Sequence, residues 1–217
     1  MVITPKDVAD FVDRAAAAIL ASEAMLNEAD GRLGDGDTGG MLARFATAVA
    51  AAKVGGAPDV GSAFMALAKA GSQSTGSSFG TLLVTALLSL GKGSQGRTEL
   101  EWHEIGPLLA AARDAMIRRG STELGAKTAV DSIDYVVRVL AGTTSAAAAG
   151  RDAARATRQA LEDFRGRPCR VGRARMYADK SAELDDPGML AIDVIAQAAR
   201  QTADLTGGVA TASSGRT

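Results

Sequence analysis

The chain has 217 residues and a formal net charge of −1; 47 % of its residues are hydrophobic, but only 4 % are aromatic. This length provides one substantial core, and the nearly balanced charge provides no basic field, so we expect no nucleic-acid partner. A core with so few aromatic rings has to be built from Ala, Leu, Val, Ile and Met, which favours closely packed helices over a β-sandwich or β-barrel.

The sequence also limits the cellular compartment. Cys169 is the single cysteine, which excludes an internal disulfide and fits a reducing environment. The apolar run 81–90 is far shorter than a membrane span, and the charged residues within 1–10 do not fit a signal peptide. We therefore expect a soluble cytoplasmic protein without a membrane partner.

Eight segments place apolar residues at helical spacing. The predicted helices span about residues 5–26, 38–53, 59–70, 78–90, 101–118, 128–140, 145–164 and 186–203. Thr4-Pro5 and Asp186-Pro187 begin the first and the last of them, because a capping side chain followed by proline is typical of a helix start. The pattern predicts a single all-α domain over residues 1–205. Residues 206–217 lack large apolar side chains and are predicted to form a disordered tail.

Residues 166–186 interrupt the helical pattern. The segment has no sustained apolar period and contains four arginines, Arg167, Arg170, Arg173 and Arg175. A long stretch without secondary structure is uncommon inside a compact domain and usually has a function. We predict a lid loop between the last two helices.

The most informative stretch is 26–41, LNEADGRLGDGDTGGM, which contains Asp30, Asp35 and Asp37. Crowded carboxylates repel one another unless a cation neutralises them, and an oxygen-only cluster suits Mg²⁺ or Ca²⁺ better than Zn²⁺. An EF-hand is excluded, because Ala46 stands where its bidentate glutamate is required when the loop is counted from Asp35. We therefore predict a magnesium–phosphate site. The alternative is an Asp/Gly-rich turn in which Asp37 only caps the next helix.

Two other glycine-rich stretches resemble nucleotide motifs, and we reject both. Residues 91–96 satisfy G-x-G-x-x-G but follow a predicted helix and lack a βαβ context. Residues 120–128 nearly spell a P-loop, but Ala126 disrupts the spacing and the segment joins two predicted helices. His103 is the single histidine, and no Ser-His-Asp or Cys-His arrangement accompanies it.

Three further stretches have the chemistry to contact phosphate. Residues 74–78, STGSS, lead into a predicted helix whose free backbone amides would face an anion. Lys127-Thr128 begins another predicted helix, and Arg173 lies in the lid, where a guanidinium fits phosphate oxygens. Each stretch also has a plainer explanation: a helix cap for the first two and for Asp186, and a solvated surface charge for Arg173.

In chain order these motifs resemble the nucleotide-binding L subunit of dihydroxyacetone kinase, over about residues 5–203. The family pattern LNxxDxxxGDGDxG is matched from Leu26 to Gly39. The family's Ser/Gly loop ending in GT is similar to residues 74–81, and its GDKT, GRAS and DPG segments are similar to residues 125–128, 172–175 and 186–188.

The resemblance implies an eight-helix antiparallel up-down barrel in which Asp30, Asp35 and Asp37 hold two Mg²⁺ ions against the phosphates of ADP or ATP. It implies that Arg173 acts in catalysis with these aspartates. The nucleotide-binding residues that it implies are Thr38, Ser74, Thr75, Gly76, Ser77, Ser78, Gly80, Thr81, Gly125, Lys127, Thr128, Arg173, Asp186 and Gly188.

The resemblance also implies a kinase that transfers a phosphoryl group to dihydroxyacetone or a related short ketose, chemistry that depends mainly on positioning and charge neutralisation. In this family a separate K subunit holds the sugar. The phosphoryl donor is ATP or, through ADP that stays bound, a phosphoprotein of the phosphotransferase system, and a homodimer is compatible with the sequence. Two alternatives stay open: a nucleotide-loaded regulatory subunit acting through a transcription factor, and a helical adapter without nucleotide.

The sequence departs from the family pattern at three points. No asparagine follows the aspartate loop at Gly40-Met41-Leu42, Ala126 replaces a common aspartate, and Arg175 replaces a common serine. These departures concern the contacts to nucleotide and leave the three aspartates intact.

Overall fold

The computed structural model describes the backbone of residues 2–207 and the side chains of residues 2–177 and 179–200. The α-helices are α1 (Pro5–Ala21), α2 (Glu23–Gly31), α3 (Thr38–Ala51), α4 (Val60–Ser74), α5 (Ser78–Gly93), α6 (Ile105–Gly120), α7 (Ala129–Leu140), α8 (Ala146–Asp163), α9 (Ala178–Glu183) and α10 (Pro187–Gly207). Short 3₁₀ helices occur at Val54–Gly56, Trp102–Glu104 and Arg173–Tyr177. Two short strands, β1 (Val2–Ile3) and β2 (Leu100–Glu101), pair antiparallel with Val2 opposite Glu101.

Eight of these helices form a closed ring. Helix α1 packs against α3, and the contacts continue through α4, α5, α6, α7, α8 and α10, which returns to α1. Sequential helices that contact each other across short connections run antiparallel. The predicted all-α fold of eight antiparallel up-down helices closed into a barrel is therefore confirmed.

Local sequence accounts for where several helices begin. Thr4 caps α1 in a reciprocal capping box with Asp7, and Pro5 takes the first helical position, as predicted. Asp59 and Ser145 cap α4 and α8, since each side chain accepts a backbone N–H three residues ahead.

The structure differs from the sequence-based prediction in four main places. The predicted fifth helix, residues 101–118, starts only at Ile105, and the residues before it form β2 and a 3₁₀ helix. The predicted first helix, residues 5–26, is divided at Ser22, whose φ of −102° and ψ of 3° end α1 before α2 starts. The lid is not free of secondary structure, because it contains a 3₁₀ helix and α9, both too short to create a sustained apolar period. Helix α10 continues to Gly207, beyond the predicted end near residue 203, and the remainder of the predicted tail, 208–217, lies outside the described residues.

Small side chains let the helices approach closely. A Cβ atom on Gly150 of α8 would lie 2.4 Å from the carbonyl oxygen of Ala199 in α10, so only glycine fits at this contact. Ala153 and Ala160 are buried along the same face of α8. This packing explains how a chain with few aromatic residues builds its core. Within residues 2–207, none of the helices has both the length and the apolar character needed to cross a membrane.

The two ends of the barrel differ. One end is closed by the strand pair over a core cluster formed by Ile3, Val8, Val54, Val60, Ala63, Leu67 and Leu100. At the other end lie the α2–α3, α4–α5 and α6–α7 connections and the lid, residues 166–186. The motifs predicted to form the site all fall at this second end.

Candidate functional site

The loops at the second end of the barrel surround a cavity of about 1050 Å³. Its volume is close to the upper end of the range of small-molecule and cofactor sites. The predicted site residues that line it are Asp30, Asp35, Asp37, Thr38, Ser74, Thr75, Gly76, Ser77, Ser78, Thr81, Thr128, Arg173, Asp186 and Gly188. The structure thus brings together residues from four separate connections, whereas Gly80, Gly125 and Lys127 are not part of the lining.

The three aspartates of the α2–α3 connection converge. Carboxylate oxygens of Asp30, Asp35 and Asp37 all lie within 4.8 Å of one another. Asp30 is 9 % exposed, whereas Asp35 and Asp37 are open to the cavity. Glycine makes this crowding possible, because a Cβ atom on Gly34 would lie 2.6 Å from Oδ1 of Asp30. Gly36 has a φ of 77°, in the left-handed region that side chains other than glycine rarely adopt.

Asp30, and not Asp37, caps helix α3. Oδ2 of Asp30 accepts the backbone N–H of Asp37 at 2.9 Å and that of Thr38 at 3.2 Å. The side chain of Asp37 makes no capping hydrogen bond. The cap that the alternative explanation assigned to Asp37 is therefore wrong, because Asp30 supplies it.

The Leu26-Asn27 pair, which precedes the loop on α2, anchors the loop to that helix. Oδ1 of Asn27 accepts the backbone N–H of Gly40 at 3.0 Å, and Leu26 is fully buried. A Cβ atom on Gly39 would lie 2.1 Å from the carbonyl oxygen of Glu23. The loop is thus packed tightly against α2, which fixes the three carboxylates in one place.

Helix α5 begins at the cavity wall. Oγ of Ser77 caps it by accepting the N–H of Gly80 at 2.9 Å, and Oγ1 of Thr75 accepts the N–H of Ser77 at 3.2 Å. The next residues, Ser78 and Phe79, line the cavity. Because the first turn of a helix has backbone N–H groups without intrahelical partners, this end presents a positive potential to an anion.

Gly80 packs against Thr75 in this turn and does not line the cavity. A Cβ atom on Gly80 would lie 2.1 Å from Oγ1 and 2.7 Å from Cβ of Thr75. The glycine therefore allows the close approach of residues 74–77 to α5, which positions the capping hydroxyls.

The lid folds over the aspartate loop. The guanidinium of Arg173 forms an ion pair with the carboxylate of Asp35, although both side chains are about half exposed. Arg175 and Met176 also line the cavity, and Gly172 has a φ of 70° where the lid turns. The positive charge of Arg173 offsets part of the negative charge of the three aspartates.

Asp186 has two roles at the start of α10. Its Oδ1 accepts the backbone N–H of Met189 at 2.9 Å, which confirms the predicted helix cap, and the residue also lines the cavity. Burial raises the pKa of Asp186 to about 7, against hydrogen bonds to the backbone N–H of Met189 and Gly188 and the nearby charge of Lys127, which lower it.

Gly125 and Lys127 do not line the cavity. Gly125 has a φ of 86° and donates its N–H to Oδ1 of Asp131 at 2.6 Å. Lys127 is 1 % exposed, and its ammonium group donates to backbone carbonyls at the base of the lid. The direct nucleotide contact predicted for these two residues does not fit this geometry.

The cavity also contains residues that the sequence analysis missed. Arg44 lies seven positions after Asp37 on α3, so helical spacing could have placed both on one face. Leu82 follows Ser78 by one turn of α5 and could have been found in the same way. Arg119 lies in the last turn of α6 and Thr122 in the α6–α7 connection, and no local signal in the sequence marks them as cavity residues.

A comparison with known protein families decides the assignment. The family model described as the DAK2 domain matches residues 32–201 of this chain. The chain belongs to the DAK2 domain family. The match covers most of the DAK2 barrel, including Asp35, Asp37, the start of α5 and the lid.

Relatives of this DAK2 domain chain are kinases and a kinase subunit. It is 31 % identical over 184 residues to the L-erythrulose 1-kinase of Mycolicibacterium smegmatis and 30 % identical over 199 residues to the D-erythrulose kinase of the same organism. These matches cover 82 % and 88 % of this chain but 32 % and 34 % of the relatives, so it spans about a third of their length. The ADP-binding subunit of the PTS-dependent dihydroxyacetone kinase of Lactococcus lactis is 32 % identical over 114 residues, which cover 52 % of this chain and 57 % of the subunit.

Solved structures of a DAK enzyme share the DAK2 barrel. The dihydroxyacetone kinase of C. freundii in its native form superposes with a TM-score of 0.70 at 20 % identity, over 92 % of this chain and 35 % of that one. The same kinase in complex with AMP-PNP and Mg²⁺ gives a TM-score of 0.72 at 21 % identity, over 93 % of this chain and 35 % of that one. At these identities the likeness shows a common fold.

Proposed function

We propose that this chain is the nucleotide-binding L subunit of a dihydroxyacetone-type kinase. It acts with ADP or ATP and Mg²⁺ and transfers a phosphoryl group to dihydroxyacetone or a related short ketose. The observation that carries the proposal is the convergence of three carboxylates within 4.8 Å, beside a helix N-terminus and a lid arginine, in one cavity. The names of the relatives support it, since two are erythrulose kinases and one is an ADP-binding subunit.

The aspartate loop fits Mg²⁺. All its donors are carboxylate oxygens, and Asp37 is free of the capping role that would otherwise occupy it. Asp30, Asp35 and Asp37 would hold two ions, with Oδ2 of Asp30 still engaged by α3. When bound, Mg²⁺ neutralises the nucleotide phosphates and links them to the protein.

The remaining lining residues then bind and orient the nucleotide. The first turn of α5 and the hydroxyls of Thr75 and Ser77 donate hydrogen bonds to phosphate oxygens. Arg173, which pairs with Asp35 at the rim of the cavity, would also donate to phosphate oxygens, because a guanidinium suits either oxyanion. Thr128 and Gly188 also line the cavity and would border the nucleotide.

The ketose is held by a separate K subunit in this proposal. The family resemblance implies that the K subunit binds the sugar through a histidine. No histidine lines this cavity, and His103 lies at the other end of the barrel, where it is exposed and paired with Glu101. The open cavity mouth then has to face the bound sugar on the partner, so that its hydroxyl can reach the terminal phosphate. The donor is either ATP itself or a phosphoprotein of the phosphotransferase system that recharges bound ADP.

Ligand-induced stabilisation tests the nucleotide site. A ligand at about one hundred times its Kd adds about 2.7 kcal/mol to the free energy of unfolding, which in a chain of this size raises Tm by roughly 5 to 10 °C. We expect this shift with ADP and Mg²⁺ together, and a much smaller one when EDTA replaces Mg²⁺.

Matched variants test whether the aspartate loop is responsible for the Tm shift. Asp37→Asn removes one carboxylate that makes no capping hydrogen bond, so we expect an unchanged Tm without ligand and loss of most of the ADP–Mg²⁺ shift. Asp13→Asn, at an exposed site on α1, should retain the full shift. No stabilisation of the native chain by ADP and Mg²⁺ would support the helical adapter instead.

A further inference from the structure

Lys127 is a buried cation that the proposed nucleotide site does not use. It lies in the α6–α7 connection with a φ of 61°, and its side chain is almost completely inaccessible, with 1 % exposed. Burying an ammonium group is costly unless all its donors are satisfied. A fully buried lysine at the edge of a ligand cavity therefore requires a structural or functional reason.

The partners of Lys127 are backbone carbonyls from both ends of the lid. Its Nζ donates to the carbonyl oxygens of Arg167 at 2.9 Å, Ser181 at 2.8 Å and Ala182 at 3.4 Å. An ammonium group has three N–H donors, so these three acceptors satisfy it completely. One side chain thus ties together positions that are far apart along the lid.

The base of the lid is closed around this ammonium group. The N–H of Gly166 donates to the carbonyl of Ala182 at 2.9 Å, and the N–H of Cys169 donates to Oγ of Ser181 at 2.9 Å. The N–H of Arg170 donates to the carbonyl of Ala126, next to Lys127, at 3.0 Å. The outgoing and returning arms of the lid therefore meet at the α6–α7 turn.

The α6–α7 turn is itself held rigidly. Asp131, which is 2 % exposed, accepts the N–H of Gly125 at 2.6 Å and that of Thr128 at 2.8 Å. The carboxylate thus fixes the turn on either side of Lys127. Because this anchor belongs to α7, the backbone around Lys127 is fixed to the barrel.

We propose that Lys127 is a positioning residue that clamps the base of the lid and thereby holds Arg173 over the aspartate loop. Arg173 projects from the middle of the clamped segment and pairs with Asp35. Without the clamp, the lid arms separate and Arg173 loses its fixed position above the cavity. The effect on nucleotide rests on the proposed function, whereas the effect on the lid does not.

Hydrogen exchange tests the clamp directly. In Lys127→Met, which keeps the length of the side chain but has no N–H donors, we expect amides within residues 166–186 to exchange at least about tenfold faster, while α8 stays protected. Lys180→Met is the matched control, since Lys180 is exposed within the lid, and should exchange like the native chain. Unchanged lid exchange, or equal acceleration in the lid and in α8, would overturn the proposal.

A double-mutant cycle tests whether Lys127 acts through Arg173. In the native background we expect Arg173→Ala to weaken ADP–Mg²⁺ binding by about tenfold or more, because a charge-assisted hydrogen bond is lost. In the Lys127→Met background the same substitution should cost less than about twofold, because Arg173 is no longer held in place. Equal losses in both backgrounds would contradict a positioning role.

A second variant keeps both measurements interpretable if Lys127→Met does not fold. Lys127→Gln retains two N–H donors on a shorter side chain, so we expect intermediate lid exchange and an intermediate cost of Arg173→Ala. If the native chain binds no ADP, the exchange measurement still decides the clamp, and the failure then belongs to the proposed function alone. Native-like exchange in Lys127→Gln together with a full Arg173→Ala penalty would overturn the clamp.

Discussion

Asp186 combines a helix cap with a place in the cavity wall, and these two environments oppose each other. Capping the N-terminus of α10 favours the ionised carboxylate, whereas removal from water favours the neutral acid. Burial is the larger effect, so the pKa of Asp186 rises to about 7 from an ordinary value of 3.8. The native state therefore holds a proton on this residue that the unfolded chain releases near pH 4.

This difference predicts how stability depends on pH. Between about pH 4 and pH 7 the native state binds more protons than the unfolded state, so the contribution of Asp186 to the free energy of unfolding decreases as pH rises and levels off above about 7. The slope is at most about 1.4 kcal/mol per pH unit for one proton. Urea unfolding at several pH values measures it.

Substitution isolates the contribution of Asp186. Asp186→Asn should retain a capping oxygen and remove the slope, whereas Asp13→Asn, on the exposed face of α1, should leave it in place. If the stability curves of Asp186→Asn and the native chain stay parallel from pH 4 to pH 8, the raised pKa is not a property of this residue.

At the scale of single residues, the sequence predicted the features that depend on neighbours along the chain. The aspartate loop was recognisable because its three carboxylates fall within eight residues, and the structure places them together. The division of roles inside the loop was not recognisable, since Asp30 caps α3 from eight residues away in the place of Asp37. The burial of Lys127 under the lid was not recognisable for the same reason, because its carbonyl partners lie 40 to 55 residues further along the chain.

At the scale of elements, the start of α5 depends on the absence of one side chain. A Cβ atom on Gly80 would lie 2.1 Å from Oγ1 of Thr75 and within 2.7 Å of its Cβ, so the turn before the helix would have to move. This is a clash with the body of a branched side chain, and a rotation about χ1 alone does not relieve it.

Gly80→Ala therefore has two opposing effects. Alanine is the better helix former by about 1 kcal/mol, but overpacking of this kind costs typically about 1 to 3 kcal/mol. We expect a net loss of stability of about 1 kcal/mol in urea unfolding, together with weaker ADP–Mg²⁺ binding, because Ser77 and Thr75 are displaced. Gly56→Ala is the control, as a Cβ atom there meets nothing within 4 Å. A Gly80→Ala variant as stable as the native chain would show that residues 74–77 adapt freely.

Most helices were predictable, because each carries its own apolar period and start signals. The errors arise where an element is too short for a period to appear. Helix α9 has six residues, and β1 and β2 have two residues each, so their formation depends on contacts with distant parts of the chain. The break at Ser22 leaves the apolar spacing of α1 and α2 almost continuous, and the sequence therefore predicted one helix.

At the scale of the whole molecule, closure of the helical ring creates the cavity. The lining residues come from connections separated by up to about 150 residues, and they meet because antiparallel helices of similar length return to the same end of the barrel. Arg119 and Thr122 join the site only through this closure, which explains why no local motif revealed them. The prediction of the barrel came from the family resemblance, whereas the spacing of apolar residues predicted the helices alone.

Among the described residues that line the cavity there is no histidine to hold a ketose, so under the proposed function we expect the purified chain to be inactive by itself. With ATP, Mg²⁺ and dihydroxyacetone or erythrulose, no ketose phosphate should form until a sugar-binding K subunit is added. Detection of the product by ³¹P NMR and mass spectrometry measures this, and a parallel reaction with ADP and a phosphotransferase-system phosphoprotein distinguishes the two donors.

Substitutions in the barrel distinguish its contribution to turnover from the contribution of the K subunit. Asp37→Asn should abolish turnover in the reconstituted mixture, because phosphoryl transfer depends on neutralising the charge of the phosphates, whereas Asp13→Asn should leave turnover intact. The two substitutions have opposite consequences only if the aspartate loop takes part in the reaction. Product formed by the purified chain without any partner would contradict the separate sugar-binding subunit, and it would place the ketose inside the same cavity as the nucleotide.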